Sequence, residues 1–280
     1  LSHSAKIVGV AFGDPFGPNT FSGYSRHIFS AFEDIDALAG CLSSKQLRLR
    51  DLLDGCADFE PLKTFCRPHL SAGWLWSRKT VEKLSSRVFA RLERDFPEAP
   101  VLQIGTHILD SGQNKRPLYC ITDMTITQAA KAGHFSVARL RRGELANAIE
   151  IQKEMFDSYR KIFVLCSWTK ESIVRDYGQT KDKVMVIGAG ANMPALEPAE
   201  EKYRSHDILF VGRDWQRKGG PLLVKAFEIV KQNIPDASLQ IVGCSPKIRN
   251  SDIYVHGLLR RSSSRQWKSL CDLYRKANCF

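Results

Sequence analysis

The sequence predicts an α/β protein built from two doubly wound parallel sheets, and three observations carry that expectation. Short apolar runs rich in β-branched residues alternate with helical patterns along most of the chain, the pattern of parallel strands joined by crossover helices. A polar stretch rich in Gly, Pro and Glu, GAGANMPALEPAEEKYRSHD at 188–207, breaks that alternation. Beyond it a second series of strands and helices begins. We therefore expect a first half at 1–188, a linker at 189–206 and the start of a second half at 207–280.

In the first half the strands are KIVGVAF, APVLQIG, RPLYCIT, KIFVLC and KVMVIG. Helices are expected at about Tyr24 to Asp34, Gly143 to Tyr159 and Lys170 to Tyr177. Residues 41–98 include RLRDLLDGCADFE and GWLWSRKTVEKLSSRVFARLERDF, which read as helical, and are expected to form an insertion over the first sheet. The second half offers ILFVG, a helix at about Gly219 to Asn233, SLQIVG, DIYVHG and a last helix near Ser264 to Ala277. Leu1 rather than Met opens the chain, and Phe280 follows the last helix directly. We therefore expect a fragment of a longer protein whose second half is incomplete, with apolar faces exposed around Leu239, Ile241, Val255 and the last helix.

Of the 280 residues 43% are apolar, ample for a sizeable core. No apolar run approaches the about 18 residues of a membrane span, and LSHSAKIVGVAFG lacks the features of a signal peptide. The eight cysteines form no CxxC pair and no Cys/His spacing suited to zinc, which fits reduced thiols in a cytoplasmic setting. The formal charge is +11, with basic residues concentrated in RRGE, RDWQRK, KIR and LLRRSSSRQWK. That balance suits anionic partners: phosphorylated donors, nucleic acid, or the anionic inner face of a membrane touched peripherally.

The most informative segment is ILFVGRDWQRKGGPLLVKAFEIVKQNIPDASLQIVGCSP. A strand at Ile208 to Val211 ends at Gly212, and Arg213 and Lys218 lie in the loop feeding a helix whose apolar face is Leu222, Leu223, Ala226, Phe227 and Val230. Such a loop stands at the carboxyl end of a parallel strand. Gly219 and Gly220 open the helix, and free N–H groups and the positive end of the helix dipole are expected there. Two cations added to that place make a diphosphate site. With 41 Lys and Arg in the chain, the pair also reads as ordinary solvated charge.

FVGR, KGG, LLVKAF and PDASLQIVG, in that order, resemble the donor-domain signature of glycosyltransferase family 4 in the GT-B superfamily. FVLCSWTKESIVRDYG with KVMVIGAGAN resembles the end of the family's first domain and brings in Ser167. IYVHGLLRR resembles the strand and loop beside the nucleotide base, at Leu258. GDPFGPNTFSGYSRHIFSAFE resembles the glycine-rich first loop, with Ser22-Gly23 where a Gly-Gly pair is common. Where many members place a histidine after a strand, this sequence has Asp123 in ITDMT. An aspartate there either accepts hydrogen bonds from sugar hydroxyls or caps the next helix. His107 in QIGTHI is a further candidate, with a structural role as its alternative.

The resemblance implies two Rossmann-like halves facing a cleft and transfer of a sugar, with retention, from a nucleotide-sugar donor to an acceptor hydroxyl. It implies Arg213, Lys218 and Asp123 as catalytic residues, Gly23, Gly212, Arg213, Lys218, Gly243 and Leu258 as donor-binding residues, and His107 and Ser167 behind them. No cofactor is expected beyond the donor itself, and no metal, because the cations take the place of a divalent ion held by an Asp-x-Asp motif. The acceptor is a glycan, a lipid or a small molecule, and nucleic acid is not expected as a partner. The family's E-x7-E pair falls beyond the last residue, so the fragment is expected to be inactive. The alternative is a basic α/β module that binds nucleic acid without catalysis, suggested by the charge of +11 and by RRSSSRQWK. A dinucleotide-dependent oxidoreductase fits poorly, since KIVGVAFGDPFG lacks the GxGxxG spacing.

Overall fold

A computed structural model describes residues 6–18, 20–45, 75–112, 114–134, 136–191, 193, 196–200 and 205–280. The chain divides into two compact units, Leu1–Asn192 and Met193–Phe280. Each unit is an α/β layer structure around its own parallel sheet, as the alternating pattern predicts.

In the first unit the strands are β1 (Ile7–Ala11), β2 (Leu38–Ser43), β3 (Val101–Ile104), β4 (Leu118–Thr122), β5 (Lys161–Val164) and β6 (Val184–Val186). Their order is β2-β1-β3-β4-β5-β6, and every neighbouring pair is parallel. A parallel sheet is covered on both faces, so its inner strands are apolar on both sides; β3 is buried along its whole length. On one face Phe29 of α1 (Tyr24–Asp34) packs with Leu102, Ile104 and Ile121. On the other, Val88 and Leu92 of α2 (Arg78–Asp95) and Ile151, Met155 and Phe156 of a later helix meet Val8, Val10, Cys120 and Ile162. That helix is α4 (Arg142–Ser158), preceded by the short α3 (Ile126–Lys131) and followed by α5 (Ser167–Tyr177).

One feature of this unit departs from the sequence expectation. Residues 41–43 belong to a strand, β2, rather than to a helical insertion. Ala39 and Gly40 give it no apolar alternation, and a sheet-edge position asks for little. Helix α2 is present as expected, whereas RLRDLLDGCADFE lies outside the described residues. The C-terminal end of α2 is held by Arg116, whose side chain is only 3% exposed. Its guanidinium donates to the Phe96 carbonyl at 2.9 Å and to the Glu93 carboxylate at 2.6 Å. Carbonyls left over at a helix end are thereby satisfied.

In the second unit β7 (Asp207–Val211), β8 (Ser238–Val242) and β9 (Ile253–Gly257) form a parallel sheet in that order. Phe227 of α6 (Gly220–Asn233) packs on one face with Leu239, Ile241 and Ile253. Leu270 of α7 (Ser264–Lys276) packs on the other with Leu209 and Val242. Asn278 and Cys279 then run beside the free edge of β7, where the Leu209 N–H donates to the Cys279 carbonyl at 2.8 Å. Leu239 and Ile241, expected to be exposed, are fully buried. They lie on the central strand, flanked by β7 and β9, on the face that α6 covers. Val255 is exposed as expected, together with Tyr254, because β9 forms the far edge.

No helix among the described residues is long and apolar enough to cross a membrane. The described cysteines, 41, 120, 166, 244, 271 and 279, are all free thiols, while Cys56 and Cys66 lie outside the described residues.

Candidate functional site

In each unit the loop leaving the first strand carries candidate residues, and ligands of doubly wound sheets sit at this carboxyl edge. The loop of the second unit runs from Gly212 to Gly219 between β7 and α6. Asp214 organises it: its carboxylate accepts from the Arg217 N–H at 3.1 Å and its carbonyl from the Lys218 N–H at 3.0 Å. The Arg217 guanidinium lies 3.2 Å from the same carboxylate and compensates its charge. Trp215 turns inward, edge-on to Phe210 at 5.3 Å between ring centroids, and anchors the loop on the sheet. Arg213 and Lys218 are exposed, and neither side chain has a hydrogen bond or ion pair among the described residues. The loop thus consumes its own acid and leaves two cations over.

Gly219 caps α6 at φ 79°, ψ 19°, a left-handed conformation that suits glycine. The expected set of free N–H groups is smaller than the sequence suggests. Gly219 N–H donates to the Gln216 carbonyl at 3.1 Å and Gly220 N–H to the Trp215 carbonyl at 2.8 Å, and Pro221 has none. An anion at the helix start would be held chiefly by side chains and the helix dipole, with the Leu222 N–H as the first backbone donor of α6 itself that is unengaged among the described residues.

Gly212 and Gly243 end adjacent strands. The Gly212 N–H donates to the Val242 carbonyl at 2.9 Å, and the Gly243 N–H to the Gly257 carbonyl at 2.7 Å. A methyl group on Gly243 would come 2.8 Å from the Gly212 carbonyl oxygen. The three strand ends therefore form a ledge without side chains, with Arg213 following its first strand and the exposed Leu258 following its last.

In the first unit the loop after β1 has the same plan with different chemistry. Asp14, like Asp214, stands three places beyond its strand; its carboxylate accepts from the Phe16 N–H at 3.1 Å and its carbonyl from the Gly17 N–H at 3.0 Å. Gly23 is buried and caps α1 in a left-handed conformation, φ 84° and ψ 0°. Phe21 and Ser22 before it are also left-handed, with φ 47° and 58°, a conformation that non-glycine residues rarely adopt.

His107, just beyond β3, is in contact with two aromatic rings, Phe12 at 5.0 Å between ring centroids and Phe21 at 5.7 Å. Its Nε2 is buried and has no hydrogen-bond partner, while the residue as a whole is half-buried. Burial lowers the imidazole pKa to about 4, so the ring is neutral at physiological pH. The segment is positioned from the core: Gln152 of α4 donates to Thr106 Oγ1 at 2.9 Å and accepts from Tyr177 Oη at 2.6 Å and from the Ile126 N–H at 2.8 Å.

Asp123 is exposed beyond β4, and its carbonyl accepts from Thr169 Oγ1 at 2.5 Å. It does not cap the next helix. That role belongs to Thr125, which forms a capping box with Gln128. The Tyr24 phenol is pushed up by burial and, second, by the Asp123 carboxylate, so the two side chains face one electrostatic environment. Ser167 opens α5 in an exposed position beside Trp168, which is 53% exposed. Sequence reasoning passed over Asp14, Asp214, Trp215, Phe21 and Trp168; of these, the matching places of Asp14 and Asp214 were readable in advance. Among the described residues no group of three or more His, Cys, Asp or Glu is placed to hold a metal.

No protein-family model matches this sequence, and neither does any curated protein. Among solved structures, a glycosyltransferase from Rickettsia africae ESF-5 superimposes with a TM-score of 0.50 at 11% identity, over 98% of this chain and 72% of that one. The likeness is one of fold. It agrees with the parallel-sheet α/β architecture of both units and leaves the chemistry of the site to the residues themselves.

Proposed function

We propose that the chain is a glycosyltransferase of the GT-B, family 4-like kind, moving a sugar from a nucleotide-sugar donor to an acceptor hydroxyl with retention. The observation that carries this reading is the loop Gly212 to Gly219, which neutralises Asp214 internally and leaves Arg213 and Lys218 beside a glycine-lined strand edge. In glycosyl transfer the leaving nucleoside diphosphate gains negative charge, and fixed cations beside it stabilise the transition state more than the ground state. Arg213 and Lys218 take that role. Gly212, Gly243 and Leu258 receive the nucleotide at the same edge. In the first unit, Asp123 accepts hydrogen bonds from sugar hydroxyls and Gly23 lets the backbone approach its ligand. The fold likeness to a glycosyltransferase supports the transferase class.

The test is thermal unfolding of the full chain with UDP, GDP, ADP, CDP or a short oligonucleotide added. A ligand in about hundredfold excess over its Kd stabilises by about 2.7 kcal/mol. One nucleoside diphosphate is expected to raise the melting temperature. If none does and the oligonucleotide does, in a salt-dependent way, the basic nucleic-acid module replaces this reading.

A further inference from the structure

We propose that His107 is a hydroxyl-binding residue of the first unit, held in this structure under a removable cover formed by Phe21. The feature that points to a ligand is Nε2, buried without a hydrogen-bond partner. Native proteins pair nearly all such atoms, and the exceptions cluster where a ligand or a movement later satisfies them. Nothing in the chemistry of the core requires a histidine here. Thr106 and Gln103, close by in sequence, already tie the segment down through Gln152 and through the Ile108 N–H, at 2.9 and 3.3 Å.

The cover has the properties of a part that moves. Phe21 is 37% exposed, so no core closes over its outer side. Its ring and Nε2 rest on the same glycine: a methyl group on Gly105 would come 2.5 Å from Nε2 and 2.8 Å from the Phe21 ring. Phe21 and Ser22 are held at φ 47° and 58° while that contact is made. Left-handed conformations in two successive non-glycine residues are unfavourable, so releasing the ring also releases the backbone. Gly23, which tolerates its own left-handed conformation, is the natural pivot.

What the movement uncovers is a neutral imidazole at the carboxyl edge of a parallel sheet, still in contact with the Phe12 ring at 5.0 Å between centroids. A neutral ring offers no charge to a phosphate. A hydroxyl both donates and accepts, and so pairs with Nε2 in either tautomer. Identifying that hydroxyl with the sugar acceptor rests on the glycosyltransferase reading; the cover itself does not.

Exchange of the histidine C2 hydrogen, followed by mass spectrometry across pH on the full chain, reads imidazole accessibility, with the exposed His27 as internal reference. In the unmodified chain His107 is expected to exchange at least about tenfold more slowly than His27. Phe21→Ala should bring the two rates together and move the His107 pKa up from about 4 toward 6.5, while Phe21→Leu, which keeps an apolar cover, stays slow. An unchanged melting temperature in both variants shows that the fold is intact. Exchange of His107 at the His27 rate before any substitution, or an unchanged rate in Phe21→Ala, overturns the cover. In Phe21→Ala, saturable protection of His107 by methyl α-glucopyranoside is expected; protection by phosphate alone, or by neither, overturns the hydroxyl site. These readouts involve no diphosphate, so their failure is distinct from failure of the donor clamp.

Discussion

The loops after β1 and β7 share a backbone plan and differ in chemistry. Each follows the first strand of a parallel sheet, bends at an aspartate three places on, and enters its helix through a left-handed glycine, Gly23 or Gly219. In the second unit the loop presents Arg213 and Lys218 beside a glycine ledge; in the first it presents Phe12 and Phe21 around a neutral His107. The fold therefore supplies the position, and a few side chains decide whether that position suits an anion or an uncharged group.

The largest expected effect comes from closing the ledge. Gly243→Ala places a methyl group 2.8 Å from the Gly212 carbonyl oxygen and 2.9 Å from its carbon, at a residue with φ 96°. Backbone has to move, so we expect a loss of about 2–4 kcal/mol in stability, seen in chemical denaturation. A loss below about 0.5 kcal/mol would show that the strand ends are not in contact.

Next is the pH dependence of the first unit. The His107 pKa is lowered in the fold to about 4 from 6.5, so the unfolded chain binds the extra proton first. Stability from this residue is complete above about pH 6.5 and falls as pH drops toward 4, by up to about 3 kcal/mol. Denaturation midpoints for the unmodified chain and for His107→Gln should diverge across that window, with the variant the flatter of the two. Parallel curves would mean that the imidazole is not buried.

The smallest effect on stability belongs to the cationic loop. Arg217→Ala removes an exposed ion pair and should change stability by less than about 1 kcal/mol. It uncovers the Asp214 carboxylate between Arg213 and Lys218 in sequence, and should therefore weaken diphosphate binding. Unchanged or tighter binding would break the contrast between the two loops.

Much of the fold was legible because parallel strands are buried on both faces and announce themselves as apolar runs: IVGVA, VLQI, LYCIT and DILFV all became strands. Strand β2 was not, since LAGCLS sits at an edge and is built from small residues. The burial of Leu239 and Ile241 was missed because it depends on which strand is central, a matter of topology rather than local pattern. At the site, the positions of Arg213 and Lys218 on a strand-to-helix loop followed from the sequence. Their lack of partners did not, because it depends on Asp214 pairing with Arg217. The N–H groups expected at Gly219 and Gly220 are engaged by the loop's own carbonyls, which only the folded turn reveals. The left-handed Phe21 and Ser22 were equally hidden, since neither residue type signals such a conformation.

The central claim is that Arg213 and Lys218 clamp a diphosphate, and isothermal calorimetry tests it most directly. The nucleoside diphosphate that stabilises the unmodified chain is titrated into Arg213→Ala and Lys218→Ala. Each variant should melt as the unmodified chain does, since both side chains are exposed. Loss of a charge-assisted contact of about 1.5–3 kcal/mol should weaken each Kd by roughly tenfold to a hundredfold and make binding less sensitive to salt. Folded variants that bind the diphosphate with unchanged affinity would contradict the account.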